Sequence, residues 1–571
     1  MGFISIKNKL LERSKSKKFW LCVGFGFLVL VIFLINTLHE SYPDEYDNVL
    51  GGWYLLHGSL FYKDWFTHHG PVAYVISAFI NLFAFHSFVR FRFIYAVYLF
   101  LLTFGSFEFL RRRLKGVDMS FYLYFILLLG LSATYFWGHM LLADNVSAFF
   151  LLPVFALVFL KVLNNRILET KDYIFISLFS SFALLSALTY AFLVAGLWIF
   201  LGIYYFVCYK RNFNIRQILK IAAIFFAPYL IFLIYLILTG SLFDYFDYAI
   251  KFNREFYIYY PGLSGKPPAN PIRYAIVIAQ GFHNNFSSLL NQVKTFNFDF
   301  PFNIALEVSN SALGIYLLIK KKYMAFLFVL GMLIYANART SPLSSGETDY
   351  QSAVYIMFSL FNTAFAIFAI HKELNLNIDY AKKVILSGVF IILLIYSFYN
   401  FTFILRKFSY KAYDKYMGFA PLIYDRPKIA PFINQIETKN DYAWIGPFNY
   451  EDLYYMNAKV PTTFDAFLPG MGHYPQIQTQ MLSEFGKNKP DVMYFNKDYY
   501  ILGASPKEYG QFFLNFLGQN YVTLGDYVNQ GQKYTSNYDP SLILDQRLFI
   551  NKSKADEIVN KMLERNLIKP I

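Results

Sequence analysis

Phe19-Trp20-Leu21-Cys22-Val23-Gly24-Phe25-Gly26-Phe27-Leu28-Val29-Leu30-Val31-Ile32-Phe33-Leu34-Ile35-Asn36-Thr37-Leu38 is a run of 20 residues without a charge. At 1.5 Å per residue a helix of that length matches a hydrocarbon core of ~30 Å. Lys7, Lys9, Arg13, Lys15, Lys17 and Lys18 precede it against one acid, Glu12. The run is longer than a signal-peptide core and has no small-residue cleavage site after it, so it is expected to be a first spanning helix with its N-terminus in the cytoplasm. Similar apolar runs recur along the 571 residues, 56% of which are hydrophobic and only 15% charged. A soluble domain carries about a quarter charged residues, so a soluble enzyme is excluded. The 21% of aromatic residues excludes a disordered chain.

Orientation follows from where the basic residues fall. The runs Phe91–Leu110, Phe121–Trp137, Val146–Leu160, Tyr173–Phe206 (a hairpin turning near Thr189-Tyr190), Ile221–Leu238, Phe302–Ile319, Tyr323–Ala336, Ala353–Ile370 and Val384–Leu405 bring the expected total to about eleven spans. Six segments then face the cytoplasm with 6, 4, 3, 4, 3 and 3 Lys/Arg, while the short outer loops 138–145 and 340–350 have none. This asymmetry accounts for most of the net charge of +14. No basic stripe with interleaved stacking aromatics occurs in a soluble segment, so nucleic acid is excluded as a partner. Cys22 and Cys208 fall in or at the end of apolar runs and offer neither a disulfide framework nor a zinc set.

The expected fold class is a polytopic α-helical membrane protein with a C-terminal extracytoplasmic α/β domain. Residues 1–405 form the membrane part, with outer loops at 39–90 and 240–300. Within the first loop, Pro71–Phe85 is too short for a span and reads as a helix lying on the outer leaflet. Residues 406–571 carry 19 Lys/Arg against 17 Asp/Glu and have no spanning run. Strand-like pieces (Tyr442–Ile445, Asp491–Phe495, Tyr521–Leu524, Arg547–Ile550) alternate there with helix-like ones (Lys428–Thr438, Pro475–Phe485, Pro506–Leu517, Lys554–Arg565). No glycine-rich phosphate loop follows any strand.

Chemistry concentrates directly after the first span, in Ser41-Tyr42-Pro43-Asp44-Glu45-Tyr46-Asp47-Asn48. Ionised groups are costly to desolvate at a membrane rim, so acids placed there have raised pKa values. Asp144 stands in a second, very short outer loop. The order Pro43-Asp44-Glu45, Leu55-Leu56-His57-Gly58, Phe61-Tyr62-Lys63-Asp64-Trp65, His68-His69-Gly70-Pro71, Arg90-Phe91-Arg92 resembles the first outer loop of the GT-C glycosyltransferases. The protein O-mannosyltransferases and lipid A aminoarabinose transferases are the nearest kin by these motifs. Ala143-Asp144-Asn145 is similar to that family's second acidic position. His68-His69 and Thr189-Tyr190 depart from the pattern of some relatives and leave the sugar and the acceptor open.

The resemblance implies transfer of a hexosyl or pentosyl group from a polyprenyl-phosphate carrier to a lipid, polysaccharide or protein acceptor. The transfer would take place on the outer face of a bacterial cytoplasmic membrane, with inversion. A lipid phosphate leaves without a proton donor, whereas the acceptor hydroxyl needs a base. Asp44 is the choice for that base, with Glu45 as orienting partner or alternative. Asp144 and Asp47 are candidates for holding the acceptor or a divalent cation. Arg339 is the candidate for the carrier phosphate, against a role as a rim arginine among headgroups. Arg90 and Arg92 are further phosphate candidates, with interfacial anchoring as the alternative. His68, His69, Glu347, Asp349 and Tyr350 are candidate substrate contacts. The rival class is a transporter or flippase of lipid-linked saccharides, which would place ionisable residues at mid-membrane; Glu108 and Glu307 are the clearest acids within runs.

Overall fold

The computed structural model describes residues 17–39, 41–114, 119–209, 215–256, 271–295, 301–338, 350–374, 427, 429–501, 503–529, 534–536 and 546–570. Arg339, Glu347, Asp349 and the expected span Val384–Leu405 lie outside them. The chain groups into two compact units, each discontinuous in sequence. One comprises Met1–Glu40, Ser87–Tyr229 and Asn270–Ile423; the other comprises Ser41–His86, Leu230–Ala269 and Tyr424–Ile571.

Among the described residues six helices are long and apolar enough to cross a membrane: Phe88–Arg113, Ala143–Leu163, Leu188–Val207, Ile218–Thr239, Phe302–Ile319 and Tyr350–Ala369. This corrects the expected eleven, and the shortfall has local causes. The Phe121–Trp137 run is an α-helix only over Met119–Ser132, followed by a 3-10 turn at Ala133–Phe136 and a left-handed Trp137 (φ 53°). Tyr323–Ala336 has 14 residues, ~21 Å of helix against the ~30 Å needed. The Tyr173–Phe206 run breaks at Leu188–Tyr190. Its first half, Thr170–Ser186, carries Ser177, Ser180, Ser181 and Ser186, which bond to backbone carbonyls. The expected outer loop at 240–300 is also largely helical, with a π-helical stretch at Phe246–Phe256 and an α-helix at Pro271–Lys294.

In the first unit, Ala143–Leu163 is the central helix, buried over nearly its whole length. Phe155 stacks on Phe358 at 4.3 Å and on Phe328 at 5.4 Å. Ser147 donates to the Ala183 carbonyl of the neighbouring helix, 2.8 Å away. At the far end a buried Asp172 accepts from Arg113 (2.9 Å) and pairs with Lys161 (3.1 Å), so the one deeply placed acid there is matched by two cations.

In the second unit the helices Pro43–Leu56 and Pro71–Ala84 lie against one another. Both begin with proline at the first helical position, where its missing N–H costs nothing. Their approach depends on Gly51 and Gly52: a Cβ on Gly51 would fall 2.4 Å from the Tyr74 ring, and one on Gly52 would fall 2.6 Å from the Ala78 backbone nitrogen. The 424–571 region contributes strands β1 (Ala443–Gly446), β2 (Val492–Phe495), β3 (Tyr521–Thr523), β4 (Tyr534–Ser536), β5 (Leu548–Asn551) and β6 (Ile568–Pro570). Four of them form a mixed sheet in the order β1-β2-β5-β3. Within it β1 and β2 are parallel, with Ala443 opposite Val492, and the other pairs are antiparallel. β4 and β6 pair separately. Trp444 on β1, fully buried, anchors an aromatic core of Phe485, Phe495 and Phe513.

Candidate functional site

The acids after the first apolar helix sit on the opening turns of Pro43–Leu56. Asp44 and Glu45 occupy its first turn, where the helix dipole favours negative charge. Asp44 is half-buried, Glu45 is fully buried, and Asp47 is 6% exposed. Tyr74 donates to Asp47 Oδ2 at 2.8 Å and shares a 2.7 Å hydrogen bond with Thr67 Oγ1. His69 Nε2 is 3.9 Å from the same Asp47 oxygen, beyond hydrogen-bond reach, so Tyr74 is the closer partner. Burial pushes the Asp47 carboxyl up from 3.8 to about 7; the Tyr74 hydrogen bond opposes that rise and the neighbouring Asp44 adds to it.

A third acid comes from far along the chain. Asp465 is 2% exposed and lies in the segment Thr462–Phe467. Glu484 clamps that segment by accepting from Thr462 Oγ1, Thr463 Oγ1 and the Thr463 N–H. The Phe66 N–H donates to the Thr463 carbonyl at 2.6 Å, and the Phe66 and Phe464 rings lie 5.6 Å apart, which fastens the segment to the first loop. Burial raises the Asp465 carboxyl well above the usual range, and the charge of Asp47 adds to the rise. The buried Tyr450 hydroxyl is likewise raised, by burial first and then by Asp47, Asp465, Tyr74 and Asp44. Those four residues and Tyr450 therefore share one electrostatic neighbourhood.

The remaining candidates fall in several places. His68 and His69 stack with ring centroids 4.0 Å apart, and their carbonyls are fixed by Asn253 Nδ2 and Tyr62 Oη, both at 2.8 Å. Asp144, in the other unit, is 1% exposed and accepts from Tyr190 Oη at 2.8 Å. Tyr350, also buried in that unit, stacks on Trp137 at 5.8 Å. Arg92 is fully buried, and its Nη1 donates to the carbonyls of Thr37 (3.2 Å) and His39 (2.6 Å) just beyond the helix Lys17–Asn36. A cation there complements the helix C-terminal end. Arg90 is exposed. Among the described residues no group of three or more His, Cys, Asp or Glu is arranged to hold a metal ion.

Asp465, Tyr74, Thr67 and Tyr450 are site residues that sequence reasoning missed. The signal was an acid inside the otherwise apolar or small stretch Phe464-Asp465-Ala466-Phe467-Leu468. A cavity of about 500 Å³ lies elsewhere, in the first unit, walled by Ala191, Ala195, Trp198, Gly202, Ala222 and Phe225; its lining is apolar and offers no reacting group. No protein-family model matches the chain, and no curated protein matches it significantly.

Proposed function

We propose that the protein is an integral-membrane glycosyltransferase that moves a sugar from a polyprenyl-phosphate carrier to a hydroxyl acceptor. The reading rests on one observation: a half-buried Asp44 on the first turn of the helix that follows the first apolar helix, with the buried acids Asp47 and Asp465 in its neighbourhood. Asp44 is the base, because a half-buried carboxylate is reachable by an acceptor whereas Asp47 is committed to Tyr74. Asp47 sits one turn on, and its charge tunes the group beside it. His69 lines the same place. The phosphate of the carrier leaves with its own negative charge and needs a cation, for which Arg339 is the candidate in the sequence.

Transfer of labelled sugar from a polyprenyl-phosphate pool, in membranes holding equal amounts of wild type or Asp44→Asn, tests the reading. A loss of ~100-fold is expected for removal of a general base. Equal transfer by both proteins removes Asp44 from that role, and no transfer by either removes the donor class.

A second reading, transport of a lipid-linked saccharide, draws on a different place. Glu307, 5% exposed, is a buried acid within the membrane-length helix Phe302–Ile319. Near it Asn310 donates to Ser359 Oγ (2.9 Å) and accepts from Asn362 (3.0 Å). Buried ionisable groups in membrane helices mark transport paths as a rule. Flipping of a labelled lipid-linked saccharide across proteoliposomes that Glu307→Gln abolishes and Asp44→Asn spares would favour it.

A further inference from the structure

Two membrane-length helices of the first unit, Phe302–Ile319 and Tyr350–Ala369, meet through polar side chains. On the first, Asn303, Glu307 and Asn310 fall at i, i+4 and i+7, which is one face of a helix, and all three are buried. On the second, Tyr355, Ser359 and Asn362 repeat the same spacing and are almost wholly enclosed. Asn310 joins the two faces. Its Nδ2 donates to Ser359 Oγ at 2.9 Å, and its Oδ1 accepts from Asn362 Nδ2 at 3.0 Å. Glu307, one turn before Asn310, is the neighbour that an i, i+3 spacing places beside it. One turn further back, Tyr135 Oη donates to Asn303 Oδ1 at 3.0 Å.

Polar side chains hold membrane helices together when their donors and acceptors match. In this seam they do not. Among the described residues Glu307 Oε1, Asn362 Oδ1 and Tyr355 Oη are buried without a hydrogen-bond partner, and no lysine or arginine is paired with Glu307. Asp172 shows what a buried acid of the same unit looks like when the protein supplies its counter-charge, with Arg113 at 2.9 Å and Lys161 at 3.1 Å. A carboxylate enclosed between two apolar helices with no cation carries the cost of its desolvation uncompensated. A bound cation offsets that cost and takes up the unused lone pairs. The unfilled positions are hard oxygens, which suit Na+ and not a soft metal. One carboxylate balances one positive charge, so a divalent ion would leave a net charge buried.

We propose that the Asn310 seam is a binding site for one monovalent cation, sodium. Glu307 Oε1 and Asn362 Oδ1 are its ligands, and Asn310 is the side chain that holds the two helices in register around it. The site belongs to the first unit, whereas the acids of the Pro43–Leu56 helix belong to the second. Sodium binding depends on neither functional reading. In the transport reading it names the ion whose gradient drives the movement, and only that consequence rests on that reading.

The test uses the full-length protein in detergent and radiolabelled sodium at pH ~8, read as ion bound per chain. Wild type is expected to bind one sodium per chain, displaced by unlabelled NaCl and not by choline chloride. Glu307→Gln keeps the shape and removes the charge; Asn362→Leu removes the amide oxygen. Each is expected to weaken binding ~10-fold or more. Thermal unfolding of wild type supplies a measurement that needs no variant. Replacing choline chloride with ~200 mM NaCl is expected to raise the midpoint by ~2 °C or more. That rise shrinks as pH falls towards ~5, where protons compete for the same oxygen.

No sodium bound by wild type overturns the proposal, and stability that responds to pH but not to sodium then assigns the carboxyl a proton in place of the ion. An Asn362 amide turned to give its Nδ2 to Glu307 needs no ion, and it too shows itself as absent sodium binding. Binding that survives unchanged in Glu307→Gln or Asn362→Leu also overturns the proposal. The flipping assay decides transport separately: sodium binding without flipping leaves the site standing and removes the transport reading.

Discussion

Two buried aspartates, one in each unit, are held by the same device. Asp144 accepts from Tyr190 and Asp47 accepts from Tyr74, each at 2.8 Å and each near the start of a helix. Their company differs. Asp144 opens a helix that is 94% buried over its most apolar stretch. Asp47 has Asp44 one turn before it and its charge acts on Asp465, and Asp44 is half open. A tyrosine–aspartate pair alone is a way of burying a carboxyl; the same pair with a second, reachable acid beside it can take up and release protons. The contrast separates a structural acid from a chemical one more sharply than burial does.

The largest effect expected from this contrast is on stability against pH in the unit that contains Asp47. Its carboxyl is moved from 3.8 to about 7, chiefly by burial. A group whose folded value is raised contributes stability fully below its unfolded value and loses it as pH rises through the folded value. Stability is therefore expected to fall between pH ~4 and ~7, by on the order of 4 kcal/mol at ~1.4 kcal/mol per pH unit. Unfolding of the purified protein across that range checks it, and Asp47→Asn is expected to remove its own share of the slope, the raised Asp465 and Glu437 carboxyls adding theirs. A slope equal to that of wild type in Asp47→Asn would break the contrast.

Next in size is the loss of the other carboxyl. Asp144→Leu takes away the nearer of the Tyr190 hydroxyl's acceptors, leaving the Gln351 carbonyl at 3.5 Å, at ~1–3 kcal/mol. Tyr190→Phe removes only the donor and is expected to cost ~1–2 kcal/mol. Both are measured as shifts of the unfolding midpoint at one pH, and neither is expected to change a pH profile of transfer in the way that Asp47→Asn does.

How much of this was legible in the sequence depended on the physical signal. The four strand-like pieces of the C-terminal region all emerge as β1, β2, β3 and β5 within a residue or two, because short apolar runs between polar turns specify strands locally. The break at Thr189-Tyr190 was legible because the apolar run Tyr173–Phe206 is about twice a spanning length. The number of spans was not. Hydropathy gives a length and cannot see where a helix stops, as at Trp137, and it does not tell a core helix from a lipid-facing one. Ala143–Leu163 and Ile218–Thr239 have mean hydropathies of 2.5 and 2.6 yet are 94% and 6% buried. The three acids of the 41–48 stretch were legible as a polar cluster beside an apolar helix. Asp465 was not, since a single acid more than 400 residues away joins that cluster only through tertiary pairing such as Phe66 to Thr463.

The smallest effect concerns the device the two aspartates share. Tyr74→Phe keeps the ring that packs on Gly51 and removes the hydroxyl that donates to Asp47. That hydrogen bond holds the Asp47 carboxyl down against burial, so its loss moves the carboxyl further up, by ~1 pH unit or less. The fall of stability with pH should then begin at the same pH and continue to a higher one, and the protein should be no less stable than wild type below pH ~5, where Asp47 is protonated in both. A single neutral hydrogen bond is worth ~1 kcal/mol, which sets the scale of the change near pH 7. Thr67 Oγ1, left without Tyr74, still accepts from the His69 N–H at 3.2 Å, so no second buried group is stranded. Tyr190→Phe, in the other unit, provides the control. An equal shift of pH dependence in both variants would mean that the company of Asp47 does not matter, and the distinction between the two aspartates would fall.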